Sequence, residues 1–365
     1  MRIEDYNTST MTKDELIEFI ALAEVEYHKY DKQQHSAKIL LNSLYGAMGT
    51  PYFRFFNIYC AEGVTLTGQT CTAQSYDVFN SFQGQILNDD KDRTIAGDTD
   101  SAYIDLSELI FKLYGTVELP KVIDNVTKLC DVILAKKLTE RFDQFAANLN
   151  SMKNCIDMKR EVIGEAVFVA KKNNVIMVYD NEGIRYASPK MKITGLEAIK
   201  SSTPKFFAEK LKLGYELLFQ TEEYKVHDFV KSVHSDTMKL TPDDVSGVST
   251  ANNIENYMDG NGGYVLGTPK HIKAAIAYNN LIVGSDLYQP IRSGEKVSII
   301  QLKEPNPIRS PVLAYNEKYP GDLLPEEYVD KELDYEKYFI KPYQRVLDIV
   351  NWNTERVASL YDFYM

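Results

Sequence analysis

The chain has 365 residues, 44% hydrophobic and 25% charged, a balance that excludes wholesale disorder or a fibrous repeat and is long enough for two or three domains. Its net charge of −11 argues against a general nucleic-acid coat but leaves room for an enzyme that grips nucleic acid locally. No apolar run approaches the ~20 residues of a membrane span, and Met1-Arg2-Ile3-Glu4-Asp5-Tyr6 is too polar for a secretory signal, so a soluble cytoplasmic protein is expected.

Residues 12–48 read as one long helix. Thr12 and Glu15 have capping-box spacing, and apolar residues recur at Leu16, Ile20, Leu22 and Ala23 and again at Ile39, Leu40, Leu41 and Leu44. Gly46, Gly49 and Pro51 end it. A second helix is predicted from Cys60 to Ser81. Strands at Thr94–Gly97 and Ala102–Leu106 flank the turn Asp98-Thr99-Asp100-Ser101, and 119–148 is helical and amphipathic. Four short strands follow, at Asp157–Val162, Ala166–Ala170, Val175–Tyr179 and Gly183–Ala187, rich in Val, Ile, Phe and Tyr. After Gly195 the texture turns helical, with Thr203-Pro204 as cap and first turn of Lys205–Phe219 and a boundary near 195–205. Met258–Gly263 is a turn cluster without the spacing of a phosphate-binding loop.

Cys60, Cys71, Cys130 and Cys155 form no C-x-x-C, which speaks for free thiols in a reducing compartment. His28 and His35, like His227 and His234, are seven apart, a spacing better explained by solvated or hydrogen-bonded histidines than by metal ligation. Between Lys153 and Lys205 the local charge is +4, which leaves −15 for the rest.

Asp98-Thr99-Asp100 is the sharpest chemical feature. Two carboxylates two residues apart at a hairpin tip repel unless a cation joins them, and hard oxygen donors of this kind suit Mg²⁺. A surface Asx turn is the competing reading. A calcium loop fails, because Tyr103 stands where the loop needs Gly and Leu109 where it needs Glu. Lys38, Asn42 and Tyr45, at i, i+4 and i+7, share one face of the first helix. That row either clamps a triphosphate and rests against a base, or is simply a solvated polar face.

Lys38-Ile39-Leu40-Leu41-Asn42-Ser43-Leu44-Tyr45-Gly46 resembles K-x-x-x-N-S-x-Y-G, motif B of the family B DNA polymerases, and Gly97-Asp98-Thr99-Asp100-Ser101 resembles their motif C. Ala170-Lys171-Lys172 followed by Val175–Asp180 is similar to the lysine-bearing palm segment. Gly195-Leu196-Glu197 and Ser201-Ser202-Thr203-Pro204-Lys205 are similar to the palm–thumb junction of T4-like bacteriophage polymerases. Ala358–Tyr364 resembles the sliding-clamp tail of that subgroup, so the resemblance runs from about residue 12 to the end.

The resemblance implies an α+β fold: a family B palm of antiparallel sheet and helices, a long fingers helix, and a mainly helical thumb. Fingers would occupy 1–50, palm 51–195, and thumb with clamp tail 196–365. Lys38 would contact the incoming dNTP and serve as acid towards the leaving pyrophosphate, Asn42 would support the nucleotide, and Tyr45 would lie near the nascent base pair. Asp100 would ligate two Mg²⁺ ions, with Asp98 in support. Lys171 and Lys172 would touch primer–template DNA, and Leu360, Phe363 and Tyr364 would anchor the clamp. The expected setting is the cytoplasm of an infected host cell.

The departures are equally specific. No D-x-x-S-L-Y-P-S, the motif A that carries the second essential Asp, occurs here, so the palm lacks that strand. Nor is there an exonuclease domain or a first fingers helix. Asn173-Asn174 replace the Arg-Tyr of T4-like relatives. The chain is therefore expected to be inactive alone. It is either half of a split polymerase, its partner supplying motif A and the exonuclease, or a piece of a longer chain; Met1 and the clamp-like tail favour the first. A non-catalytic DNA- and clamp-binding module is the alternative, and an unrelated metal-dependent nuclease a third reading.

Overall fold

The computed structural model describes residues 8–98, 100–260 and 262–355. They fall into two compact units, one within 1–109 and 137–156, the other within 110–136 and 157–365.

In the first unit, helix α1 (Lys13–Met48) begins as the capping box requires: Thr12 N–H donates to Glu15 Oε2 at 2.8 Å, and Glu15 N–H to Thr12 Oγ1 at 3.4 Å. Such a cap is worth ~1 kcal/mol. None of its 36 residues is buried, and Leu16, Ile20, Leu40, Leu41 and Leu44 all face solvent. Helix α2 (Ile58–Leu87) is capped by Asn57 and outruns its predicted end, because Asn88, with φ 61°, supplies the left-handed stop. Strands β1 (Thr94–Asp98) and β2 (Ser101–Ile104) form an antiparallel hairpin packed on α2. Helix α3 (Ser107–Tyr114) begins in this unit.

The predicted helix over 119–148 is α4 (Leu119–Lys128) and α5 (Ala135–Asn148), joined by a π-helical stretch, Leu129–Leu134. In the second unit, β3 (Val162–Ala170), β4 (Asn173–Asn181) and β5 (Ile184–Thr194) make an antiparallel sheet in the order β3-β4-β5. Three strands thus replace the four expected. Residues 157–161 pair with no strand, and Arg160 turns aside to bond Asp131 at 2.7 Å and Asp180 at 2.6 Å. Strand β5 runs on past Pro189, which falls in the break in register between Arg185 and Lys190, so no ladder pair is lost there.

Helices α6 (Lys205–Gln220), α7 (Glu223–Met238) and α8 (Pro242–Val245) come next. Pro204, not Thr203, occupies the N-cap of α6, and no side chain caps it. The mainly helical expectation for this region missed a three-stranded antiparallel sheet of β6 (Gly247–Ala251), β7 (Glu295–Gln301) and β8 (Val312–Tyr315). Helix α9 (Lys270–Leu281) packs on β8; α10 (Lys331–Tyr335), a π turn at Glu336–Ile340 and α11 (Lys341–Leu347) close the core. That core is rich in tyrosines; the hydroxyls of Tyr343 and Tyr335 donate to the Gly214 carbonyl at 2.9 Å and the Val230 carbonyl at 3.1 Å, whereas those of Tyr215 and Tyr319 have no hydrogen-bond partner among the described residues. The molecule is an α+β protein with antiparallel sheets.

Candidate active site

The acidic hairpin is built from both of its ends. Asp98 pairs with Ser101, which leaves Asp100 in the two-residue connection; Asp98 is half-buried and Asp100 exposed. Gly97 is required for this geometry, since a Cβ there would collide with the Tyr76 hydroxyl projecting from α2. At the foot, Asn80 of α2 accepts from Arg93 N–H at 2.9 Å and donates to Asp92 at 2.8 Å. Arg93 itself is buried and bonds Asp89 and Glu108 on either side of the hairpin. Its hydrogen bonds draw the Asp89 carboxyl down to about 2, against the opposing effect of burial. The sequence reading missed this foot entirely; its one legible sign is an arginine directly before a strand with Asp89 four residues back, while Glu108 lies 15 residues on.

Lys38, Asn42 and Tyr45 lie exposed near the C-terminal end of α1, on the face their spacing dictates. Helix α2 packs against both α1 and the hairpin, and so belongs to the frame of both features. Among the described residues, no group of three or more His, Cys, Asp or Glu side chains is placed to hold a metal ion. The donors at Asp98 and Asp100 are hard oxygens that fit Mg²⁺, but two carboxylates are fewer than a closed protein cage would use.

Lys171 and Lys172, in the second unit, form the exposed turn between β3 and β4. Lys172 adopts left-handed backbone (φ 65°), and a strand irregularity lies between Phe168 and Ala170. Gly195, at φ 67°, lies so close beneath that a Cβ would strike the Lys172 carbonyl and the Asn173 side chain. Asn173 thus packs over Gly195. Asn174 is buried, and its Oδ1 has no hydrogen-bond partner among the described residues. Neither asparagine offers a cation where Arg-Tyr is the expected pair. The basic window is also smaller than its charge count suggests, because Arg160 and Arg185 are taken up by ion pairs with Asp131, Asp180 and Asp124. Lys190 stacks 4.4 Å from the Tyr186 ring centre on exposed β5. Leu360, Phe363 and Tyr364 lie outside the described residues.

The four cysteines are free thiols. His234 bonds Glu332 at 2.8 Å; His227 stands 4.0 Å from Glu223, too far for a hydrogen bond, and its buried Nε2 has no hydrogen-bond partner among the described residues. No helix among the described residues is long and apolar enough to cross a membrane.

The profile of DNA polymerase family B matches residues 15–246, and the chain belongs to that family. It is 29% identical over 348 residues to the DNA-directed DNA polymerase of Enterobacteria phage T4, and 29% identical over 347 residues to that of Escherichia phage RB69. Those alignments take in 90% and 91% of this chain, which spans 38% of the length of each relative. A DNA polymerase of Choristoneura biennis entomopoxvirus is 47% identical over 47 residues, 13% of this chain and 5% of that protein.

Proposed function

We propose that this chain is the C-terminal portion of a replicative DNA-dependent DNA polymerase, with the second fingers helix in 1–50, the motif C part of the palm in 51–195, and the thumb with its clamp-binding tail in 196–365. The observation that carries the reading is that the Lys38–Asn42–Tyr45 face and the Asp98–Asp100 hairpin occur within one family-matched stretch and one compact unit. The remaining metal-binding carboxylate, from motif A, comes from residues beyond this chain, on a second polypeptide or a preceding segment. The uncovered apolar residues along α1 support the docking of such a further portion.

In the assembled site, Asp98 and Asp100 would hold Mg²⁺, with substrate phosphates and water filling the coordination. Two bound ions would activate the primer 3′-hydroxyl and neutralise the triphosphate. Lys38 brings its ammonium to the triphosphate and supplies the proton to departing pyrophosphate. Asn42 steadies the bound nucleotide, and Tyr45 closes against the new base pair. Lys171 and Lys172 hold the DNA backbone near the primer end, and the tail carrying Leu360, Phe363 and Tyr364 engages a sliding clamp.

The test is primer extension with Mg²⁺ by the chain combined with its motif A-bearing portion. Lys38→Ala is expected to slow nucleotide addition by about 10²-fold or more while shifting DNA affinity less than twofold; equal losses in both would remove Lys38 from the triphosphate. Lys171→Ala/Lys172→Ala is expected to weaken DNA binding and flatten its dependence on log salt by about 2, one unit per lost phosphate contact. An unchanged slope would place the DNA elsewhere.

A further inference from the structure

Arg93 stands directly before β1, with its side chain 2% exposed. Its Nη1 and Nη2 donate to both Asp89 oxygens at 2.8 and 2.7 Å, and its Nε and Nη2 donate to Glu108 Oε2 at 3.0 and 2.6 Å. Asp89 follows α2, and Glu108 lies in the first turn of α3, just beyond β2. One guanidinium therefore ties the strand entering the hairpin to the segment leaving it. The backbone closes the same ring, Asp105 N–H donating to the Arg93 carbonyl at 2.9 Å.

A two-stranded hairpin is marginal by itself in water, so the tip's position depends on what holds its foot. A planar fork with parallel donors suits this task; a lysine's single ammonium cannot serve two carboxylates in that geometry. Misplacing a reacting group by about 1 Å costs on the order of 10²-fold in rate.

We propose that Arg93 is a positioning residue for the acidic hairpin: by clamping Asp89 and Glu108 it fixes the strand feet, so that Asp98 and Asp100 are presented preorganised for cation binding. The inference rests on reading that hairpin as a metal-binding element, and it concerns a side chain that touches neither metal nor substrate.

Arg93→Lys keeps the charge and removes the fork. In the full chain, hydrogen exchange over 94–104 is expected to accelerate about tenfold while protection along α2 and in β3–β5 stays unchanged. In the assembled polymerase, the Mg²⁺ concentration for half-maximal extension is expected to rise about fivefold or more, with KM for dNTP and DNA affinity unchanged. Wild-type hairpin protection with a wild-type Mg²⁺ requirement would overturn the proposal. So would a uniform loss of protection throughout the unit, which marks a purely structural residue. Should Arg93→Lys fail to fold, Glu108→Gln, which retains the shape and weakens one arm, is read by the same two measurements. Undiminished extension by Asp100→Ala would instead defeat the metal reading of the hairpin, so the two failures are distinguishable.

Discussion

Replacing Asp100 with alanine in the assembled polymerase is expected to lower primer extension by at least ~10³-fold, with folding and assembly intact. The size follows from charge: with Asp100 as the metal ligand proposed above, its removal forfeits several kcal/mol of cation-mediated stabilisation, at ~1.36 kcal/mol per factor of ten. Folding is spared because Asp100 is exposed in the connection of a hairpin whose foot is secured elsewhere, by Asn80 and Arg93. Assembly is checked by co-purification and DNA binding by titration; extension within tenfold of wild type would show that Asp100 does not carry the ions.

The second large effect concerns stability. Asp334 on α10 is completely buried, one oxygen accepting from Gln301 N–H at 3.0 Å and the other, Oδ1, lacking a hydrogen-bond partner. Burial pushes this carboxyl up to about 7, the Gln301 bond and the Lys337 charge oppose the rise, and Asp330 adds to it. Tyr338 also feels its charge. Because the folded state holds the proton more tightly than the unfolded chain, the stabilising contribution is complete below the ordinary value of 3.8 and is lost as pH rises through about 7. The loss is at most ~4 kcal/mol at 1.36 kcal/mol per unit. Asp334→Asn keeps an acceptor for Gln301 and cannot ionise. Thermal melts should find the wild-type domain less stable at pH 8 than at pH 5.5, with the variant nearly flat and more stable than wild type at pH 8. Parallel profiles for the two proteins would exclude Asp334 as the titrating group.

Features carried by local pattern were legible in the sequence. The Thr12–Glu15 cap, the long α1 and the acidic turn each depend on residues within a few positions of one another, and the structure places all three accordingly. What escaped depends on side chains meeting across distance. Glu108 lies 15 residues beyond Arg93, and in a linear reading both look like ordinary surface charges. Arg160 and Arg185 add to the local positive count in the sequence, yet each is paired with Asp180 of β4 and with an acid of the preceding helical segment, Asp131 or Asp124. The β6–β8 sheet escaped because its strands are short and separated by long helical and irregular stretches, so no two of them announce a hairpin. Gly195 shows how far a local reading goes: the residue drew notice as part of a motif, while its reason, room for the turn at Lys172, lies 23 positions back along the chain.

Strand β5 has one further consequence. At 11 residues it is a long open edge, the kind of surface on which stray strands stack into aggregates. Pro189 interrupts its row of donors, and exposed Lys190 and Lys192 set like charges against any second copy. Features of this sort discourage edge-to-edge pairing of copies, and the same two lysines carry positive charge on the strand's exposed surface.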